Sequence, residues 1–301
     1  MKIAITGSTG LIGQHIVTDL SDAGHKPVRM VRSNPTGDDI LYRTAGPLDP
    51  AALRGIDAVV HLAGESIGGS SPLDLRWTVA KKQRILDSRV TGTTTIAEAM
   101  AKADGGPRVL ISASAIGLYG DRHDEVLTEA SAPGDDFMAT VAQAWEASAD
   151  PARTAGIRVV HPRFGIVLHP RGGALQKLLP LFRIGLGGRF GSGRQWWSWV
   201  SIADAVGAVR WALETDTAEG AYNITGPNPT TNAEFTKVLA GVLGRPSFAT
   251  VPAFGPRLLL GELADALLFN SQRVLPDRLL DSGYGFTFTD LRSALRNALA
   301  E

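Results

Sequence analysis

Lys2-Ile3-Ala4-Ile5-Thr6-Gly7-Ser8-Thr9-Gly10-Leu11-Ile12-Gly13 decides the fold. A short β-favouring run leads straight into G-x-x-G-x-x-G. Apolar residues then recur at helical spacing (Leu11, Ile12, Ile16, Val17, Leu20) until Gly24. Strand, glycine turn and helix in immediate succession form the setting in which such a turn binds a dinucleotide. Gly7 permits the tight turn, Gly10 lets the backbone approach a pyrophosphate, and Gly13 lets the helix lie close on the strand. The helix N-terminus offers free N–H groups and the positive end of its dipole to phosphate. Ser8, Thr9, Leu11 and Ile12 lie in the same turn, so all seven residues are candidate cofactor contacts. The alternative is a plain strand–helix turn, which leaves three spaced glycines without a purpose.

Working outward, short strands alternate with helices through the first half. Residues 27–31, 57–63, 108–112 and 157–160 read as strands, and 11–23, 75–103 and 135–149 as helices. The run Ala58-Val59-Val60-His61-Leu62 is nearly continuous in apolar residues, as in a strand buried on both faces. This alternation predicts an α/β protein with a doubly wound parallel sheet. The second half is less regular, with Pro/Gly-rich connectors at 226–229, 245–246 and 255–256. Ser201-Ile202-Ala203-Asp204 and Thr231-Asn232-Ala233-Glu234 fit capping boxes that each open a helix. The expected division is a dinucleotide-binding domain over 1–165 and a smaller C-terminal α/β lobe over 166–301. Segments around 198–225 are expected to return to the first domain. The apolar stretch 258–269 reads as one core-facing helix.

Composition narrows the function. The 301 residues carry 30 Lys+Arg against 30 Asp+Glu, a balance that argues against bulk electrostatic binding of nucleic acid or of a membrane surface. With no cysteine, thiolate nucleophiles, Fe–S clusters and Cys-ligated zinc are excluded. The six histidines show no metal-ligand spacing, so no metal is expected. No secretory leader pattern and no apolar run of about 18 residues is visible, so a cytoplasmic protein is the expectation. Glycine is the excess, 34 of 301 residues against a usual ~7%.

The end of the second strand separates NADP from NAD. An acid there binds the adenine ribose hydroxyls, whereas an arginine accommodates a 2′-phosphate. The strand ends Met30-Val31-Arg32-Ser33, with no acid before Asp38. Arg32, with Ser33, therefore points to NADP (NADPH) over NAD; a solvated surface arginine is the alternative.

Gly7, Gly10 and Gly13, with His61-Leu62-Ala63-Gly64, Ser112-Ala113-Ser114 and Tyr119-Gly120, make the chain resemble the extended short-chain dehydrogenase/reductase superfamily. More closely it is similar to an "epimerase family" subgroup whose members carry a C-terminal domain of unknown function. Leu62-Ala63-Gly64-Glu65, Arg76-Trp77, Ser88-Arg89, Trp145-Glu146, Gly191-Ser192-Gly193, Trp199 with Asp204, and Leu260-Gly261-Glu262 carry that likeness along nearly the whole chain. The resemblance implies a Rossmann sheet binding NADP. Leu62, Ala63, Gly64 and Glu65 would pass beside its ribose and pyrophosphate. Arg89 would reach a phosphate or ribose, or else form a helix-surface salt bridge. Ser112 and Ala113 would line the site, and Phe164 and Val167 would cradle the nicotinamide. The substrate is an unknown small molecule, expected to be anionic or nucleotide-linked.

The same resemblance implies catalysis by a Ser and a Tyr-x-x-x-Lys pair, with the Tyr as acid/base. Ser114 fits the Ser, with Ser112 as second choice. Counting back from Trp145-Glu146, however, the pair falls on Met138 and Ala142, which transfer no proton. Asp135, Asp136 or Tyr119 could substitute, although Tyr119-Gly120 reads more simply as a turn. Two readings stay open: an NADP-dependent oxidoreductase or epimerase-like enzyme, and a non-catalytic NADP-binding sensor or scaffold.

Two further patterns are weighed. Gly64-Glu65-Ser66-Ile67-Gly68 satisfies G-x-S-x-G, but the glycine- and serine-rich loop after it is unlike the helix a nucleophile elbow needs. Residues 185–199, with Trp196, Trp197 and Trp199 beside Arg189 and Arg194, read either as a substrate rim or as lobe–lobe packing.

Overall fold

The computed structural model describes residues 1–44, 46–68 and 76–300. Among them, eight strands form one parallel sheet: β1 (Lys2–Thr6), β2 (Lys26–Val31), β3 (Ile40–Leu41), β4 (Ala58–His61), β5 (Val109–Ser112), β6 (Arg158–Phe164) and β7 (Gly220–Ile224) in the order β7-β6-β5-β4-β1-β2-β3, and the two-residue strand Ser114–Ala115, which also pairs with β6. The chain runs outward from β1 to β3, then crosses back to β4 on the other side of β1. That reversal places a crevice beyond the C-terminal ends of β1 and β4, where open α/β sheets bind ligands.

Burial on both faces explains the apolar strands. Ile3, Ile5 and Val60 face helix α1 (Leu11–Asp22) through Ile16 and Leu20. Ala4, Val28, Met30 and Val59 face helix α2 (Val79–Lys102) through Ile96, Ala97 and Met100. Alternation at period two sends successive side chains to opposite layers. Helix α3 (Phe137–Ala147) follows β5 and starts on the Asp136 carboxylate, which accepts from Ala139 N. The expected start of α2 at Leu75 lies outside the described residues.

The second half divides its elements between two cores. Helix α5 (Ile202–Glu214) packs beside α1, and β7 joins the main sheet next to β6. Helices α4 (Gly173–Arg183), α6 (Asn232–Val242) and α7 (Leu291–Ala300) enclose a separate core around Leu175, Phe182, Trp197, Trp199, Phe235 and Leu295. Thr231 and Glu234 form a full capping box at α6. Buried Asp204 ties the tail to α5, accepting from Thr287 N at 2.6 Å and Phe288 N at 3.1 Å.

Residues 258–269 do not form the single core-facing helix expected. Gly261, at φ +60°, separates helix Phe254–Leu260 from Glu262–Ala264, and Leu258 and Leu259 are exposed. A positive φ breaks the helical repeat at a residue for which it carries little strain.

Candidate functional site

The glycine turn is held at a spacing that side chains would destroy. A Cβ on Gly13 would lie 2.1 Å from the Gly7 carbonyl oxygen, and one on Gly7, at φ +66°, 3.0 Å from Ala63 N. Gly10 N donates to Gly7 O at 2.9 Å, closing the turn. Gly10 also N-caps α1 without any side-chain cap, so the first N–H groups of the helix face the crevice uncapped by a side chain. Ser8 is nearly buried in this turn, Leu11 and Ile12 are half-buried, and Thr9 is exposed.

Thr6 joins the turn to the end of β4, a role no sequence motif announced. Its Oγ1 accepts from Leu62 N at 3.1 Å and Ala63 N at 3.2 Å and contacts His61 Nδ1 at 2.7 Å. With both lone pairs of the hydroxyl engaged, its proton goes to His61 Nδ1. Complete burial, with the Arg89 charge adding to it, lowers the His61 pKa to about 3, so the imidazole is neutral with its proton on Nε2. Buried His61 Nε2 finds no partner among the described residues.

Beyond Ala63, helix α2 grips the loop. Ser88 Oγ accepts from Glu65 N, Arg89 Nη1 donates to Glu65 O, and buried Lys81 binds the Glu65 carboxylate at 2.8 Å. Arg89 stacks over the Trp145 ring and lies against Gly64, where a Cβ would come within 3.3 Å of the guanidinium. Burial lowers its pKa to about 10. Arg89 is thus packed inside the loop rather than in a surface salt bridge. Ser66 is exposed in this loop, and residues 69–72, which the elbow reading turns on, lie outside the described residues.

At the end of β2, Arg32 and Ser33 are exposed, and neither side chain has a partner among the described residues. The nearby acids are occupied. Asp38 pairs with Lys26 at 2.7 Å, and Asp39 takes Arg29 through both carboxylate oxygens. The Lys26 ammonium and the Arg29 guanidinium hold the two carboxyls below their usual range.

Across β5 lies a buried polar corner. Ser114 contacts Glu146 Oε1 at 2.7 Å, and Glu146 takes Arg163 through Nε at 2.8 Å and Nη2 at 2.9 Å. Arg163 Nη1 donates to the Tyr119 hydroxyl, which donates to Asn223 Oδ1 at 2.7 Å. The Glu146 carboxyl is lowered from its ordinary value: burial works against ionisation, and the hydrogen bond and charge of Arg163 prevail. Burial raises Tyr119, which is fully enclosed. Tyr119 is therefore a structural link and offers nothing to the crevice. Ser112 and Ala113 are buried, with Ser112 O accepting from His161 and Ala113 N donating to His61 O. Phe164 is buried at the end of β6, and half-buried Val167 pairs with Val200. Met138 is half-buried and Ala142 buried on α3, at the positions counted back from Trp145-Glu146.

The Trp-rich segment resolves into packing. Trp197 and Trp199 belong to the C-terminal core, Arg189 bonds Thr250, and Arg273 lies over the Trp196 ring at 4.4 Å. Among the described residues no cluster of three His, Asp or Glu side chains could hold a metal, and no helix is long and apolar enough to cross a membrane.

A doubly wound sheet with a glycine turn at its strand-order reversal defines a Rossmann-type α/β protein of the short-chain dehydrogenase/reductase kind. The chain belongs to the NAD dependent epimerase/dehydratase family, whose profile matches residues 3–225, and a domain of unknown function, DUF1731, matches residues 251–298. It is 41% identical over 295 residues to an epimerase family protein of Mycobacterium tuberculosis, covering 97% of this chain and 96% of that one. The human epimerase family protein SDR39U1, solved with NADPH, superposes with a TM-score of 0.90 at 32% identity over 100% of both chains. A nucleoside-diphosphate sugar epimerase from Corynebacterium glutamicum gives a TM-score of 0.83 at 35% identity, covering 99% of this chain and 58% of that one.

Proposed function

We propose that this protein binds NADPH across the crevice beyond β1 and β4 and is an oxidoreductase or epimerase-like enzyme acting on a small molecule. The observation that carries the cofactor assignment is the turn itself. Gly7, Gly10 and Gly13 leave a backbone cradle that a Cβ would fill, at an uncapped helix N-terminus. In this reading the turn holds the pyrophosphate, and Arg32 with Ser33 meets the 2′-phosphate. The sequestration of Asp38 and Asp39 supports NADPH, because neither acid is free to take the ribose hydroxyls of NAD. The human relative solved with NADPH supports the same choice.

When bound, NADPH supplies a hydride. The chain's own residues then position it. Leu62, Ala63, Gly64 and Glu65, steadied by Arg89, flank the ribose and pyrophosphate. Ser112, Ala113, Phe164 and Val167 line the nicotinamide end, and Ser114 meets the substrate. The division into a cofactor domain (1–165 with the returning 198–225 segment) and a substrate lobe belongs to this reading. Met138 and Ala142, where the family pattern has its Tyr and Lys, favour a second reading: an NADPH-binding protein without turnover.

Fluorescence titration with NADPH and NADH tests the first claim. Tight NADPH and weak NADH binding is expected; equal affinities discard the preference, and no binding discards the site. A screen of small carbonyls and nucleotide sugars for NADPH oxidation separates the two functional readings. Tight binding with no turnover, and a harmless Ser114→Ala, selects the binder.

A further inference from the structure

We infer that one face of the C-terminal lobe docks on an anionic lipid surface, placing apolar side chains among the headgroups and arginines against their phosphates. This does not depend on the cofactor reading.

Overall neutrality conceals how the charge is distributed. Between Asp150 and Asp204 the chain carries eight Lys and Arg residues and no acid. Between Glu234 and Glu262 it again carries no acid, with Lys237, Arg245 and Arg257. The carboxylates that balance these cations lie elsewhere in the sequence. The fold brings the two acid-free runs together. Strand Gly188–Phe190 pairs in parallel with strand Ala249–Val251, and a Cβ on Gly185 would come within 3.6 Å of Pro246. Some of the cations serve the interior, as Arg163 does with Glu146. Arg183, Arg189 and Arg245, by contrast, are exposed and pair with no carboxylate among the described residues. The two acids that follow the second run, Glu262 and Asp265, are already taken by Lys82 and Arg257.

The same two runs carry the exposed apolar groups. Among the described residues thirteen large apolar side chains stand exposed, and seven of them fall here. Leu181, Ile184 and Leu186 lie at and just after the end of α4, where Leu186 N donates to Leu181 O at 2.9 Å. Phe248 follows Pro246 directly beside them and is 87% exposed. At the other end of the short strand pair, Phe254, Leu258 and Leu259 stand out from helix Phe254–Leu260. Single exposed leucines are ordinary. A group of them marks a surface that meets something apolar.

The pairing of the two properties selects the partner. A nucleic acid answers the arginines but gives the phenyl and isobutyl groups nothing to enter. A purely apolar partner leaves unpaired guanidinium groups to be desolvated at a cost. The boundary layer of an anionic bilayer answers both. Apolar tips enter the acyl margin, and arginines lie at the level of the phosphates with their stems along the apolar surface. No helix among the described residues is long and apolar enough to cross a membrane, so the contact is peripheral.

Sedimentation of the whole protein with vesicles tests this. Vesicles of equal parts phosphatidylglycerol and phosphatidylcholine should carry the protein down at low salt, phosphatidylcholine alone should not, and added salt should release it. Arg183→Ala and Arg245→Ala should each weaken the association about fivefold. Phe248→Ser should weaken it as well, with the melting temperature unchanged because the ring touches little of the fold. In a Phe248→Trp variant, lipids brominated on their acyl chains should quench the added emission. No sedimentation with the anionic vesicles, or arginine variants that bind as the wild type does, overturns the inference. Heparin, a polyanion without acyl chains, supplies the other arm. If heparin takes up the protein while Phe248→Ser leaves vesicle binding intact and the Phe248→Trp emission stays unquenched, the face recognises a soluble polyanion and the lipid assignment falls.

Discussion

The glycine cradle and the Ser114 corner are made in opposite ways. The cradle is made by leaving atoms out: main-chain groups close to within 3 Å because Gly7, Gly10 and Gly13 bring no Cβ. The corner is made by putting charge in, with a partly buried carboxylate and a buried guanidinium beside a serine. A phosphate needs many N–H donors and tolerates any chain that supplies them. The corner takes side chains from the segment after β5, from α3, from β6 and from β7 acting together. The two regions should therefore fail differently.

The largest effect is expected at the corner. Glu146→Ala leaves Arg163, whose side chain is 10% exposed, as a buried charge without its partner. Removing one member of such a pair costs about 3–5 kcal/mol. Urea unfolding should show that loss, and a change below about 1 kcal/mol would mean that solvent already screens the pair.

Each region also holds one buried histidine, and acid should weaken both. His61 at the cradle has its pKa lowered to about 3, chiefly by burial, and His161 at the corner to about 4, again chiefly by burial. The unfolded chain protonates them near 6.5 while the folded chain does not, so below that pH the unfolded state binds more protons. Their contribution is whole above about pH 6.5 and is lost as pH falls toward 4, by about 1.4 kcal/mol per pH unit for each histidine. Glu146 adds its own loss only as pH falls through the ordinary carboxylate range, so between pH 6.5 and about 5 the histidines act alone. Unfolding free energies at pH 7 and 5.5 check this. A His61→Gln variant should flatten the slope by about half, and an unchanged slope would show His61 already protonated or exposed.

The difference between the regions also explains what the sequence could be read for. The turn is local: twelve consecutive residues contain strand, glycines and helix, so its place between the first strand and the first helix followed from spacing alone. The position of Arg32 just past β2 was legible for the same reason, since that strand's place in the motif is fixed. Glu146 was visible only as half of Trp145-Glu146, and Arg163 only as part of a strand end. Nothing local says that residues 114, 146, 163 and 223 converge, because their contacts span up to 104 positions along the chain. Thr6 was missed although it stands inside the deciding stretch. Its bonds run to residues 55 to 57 positions away, and a threonine ending a strand carries no distinguishing pattern. The Trp-rich segment was open to two readings, a substrate rim or lobe–lobe packing. Three tryptophans suggest a ligand surface, but two of them fill a core that only the fold reveals.

Gly13→Ala attacks the cradle itself. The added methyl would meet Gly7 O at 2.1 Å and Ser8 Cα at 2.9 Å, both backbone atoms that no rotamer change can move. Overpacking of this kind costs about 1–3 kcal/mol. More telling is the split it should produce: NADPH affinity should fall at least tenfold while the side-chain carboxyl 13C signal of Glu146 stays unchanged. If both readouts move together, the two regions are one cooperative unit.

Arg32→Ala should have the smallest effect on the fold and the most selective one on binding. Arg32 is exposed and bonds no described residue, so its removal leaves no buried group unpaired, and stability should stay within about 0.5 kcal/mol. The loss appears only with the phosphorylated cofactor. A charge-assisted contact to a phosphate in a solvent-facing position contributes about 1.5 kcal/mol, or roughly tenfold in affinity. NADPH should weaken by that factor and NADH should not change, and added salt should narrow the wild-type preference toward that of the variant. A variant that loses NADPH and NADH equally would place Arg32 on the common part of the dinucleotide, and the discrimination would then belong to the exposed backbone of the Arg32-Ser33 turn.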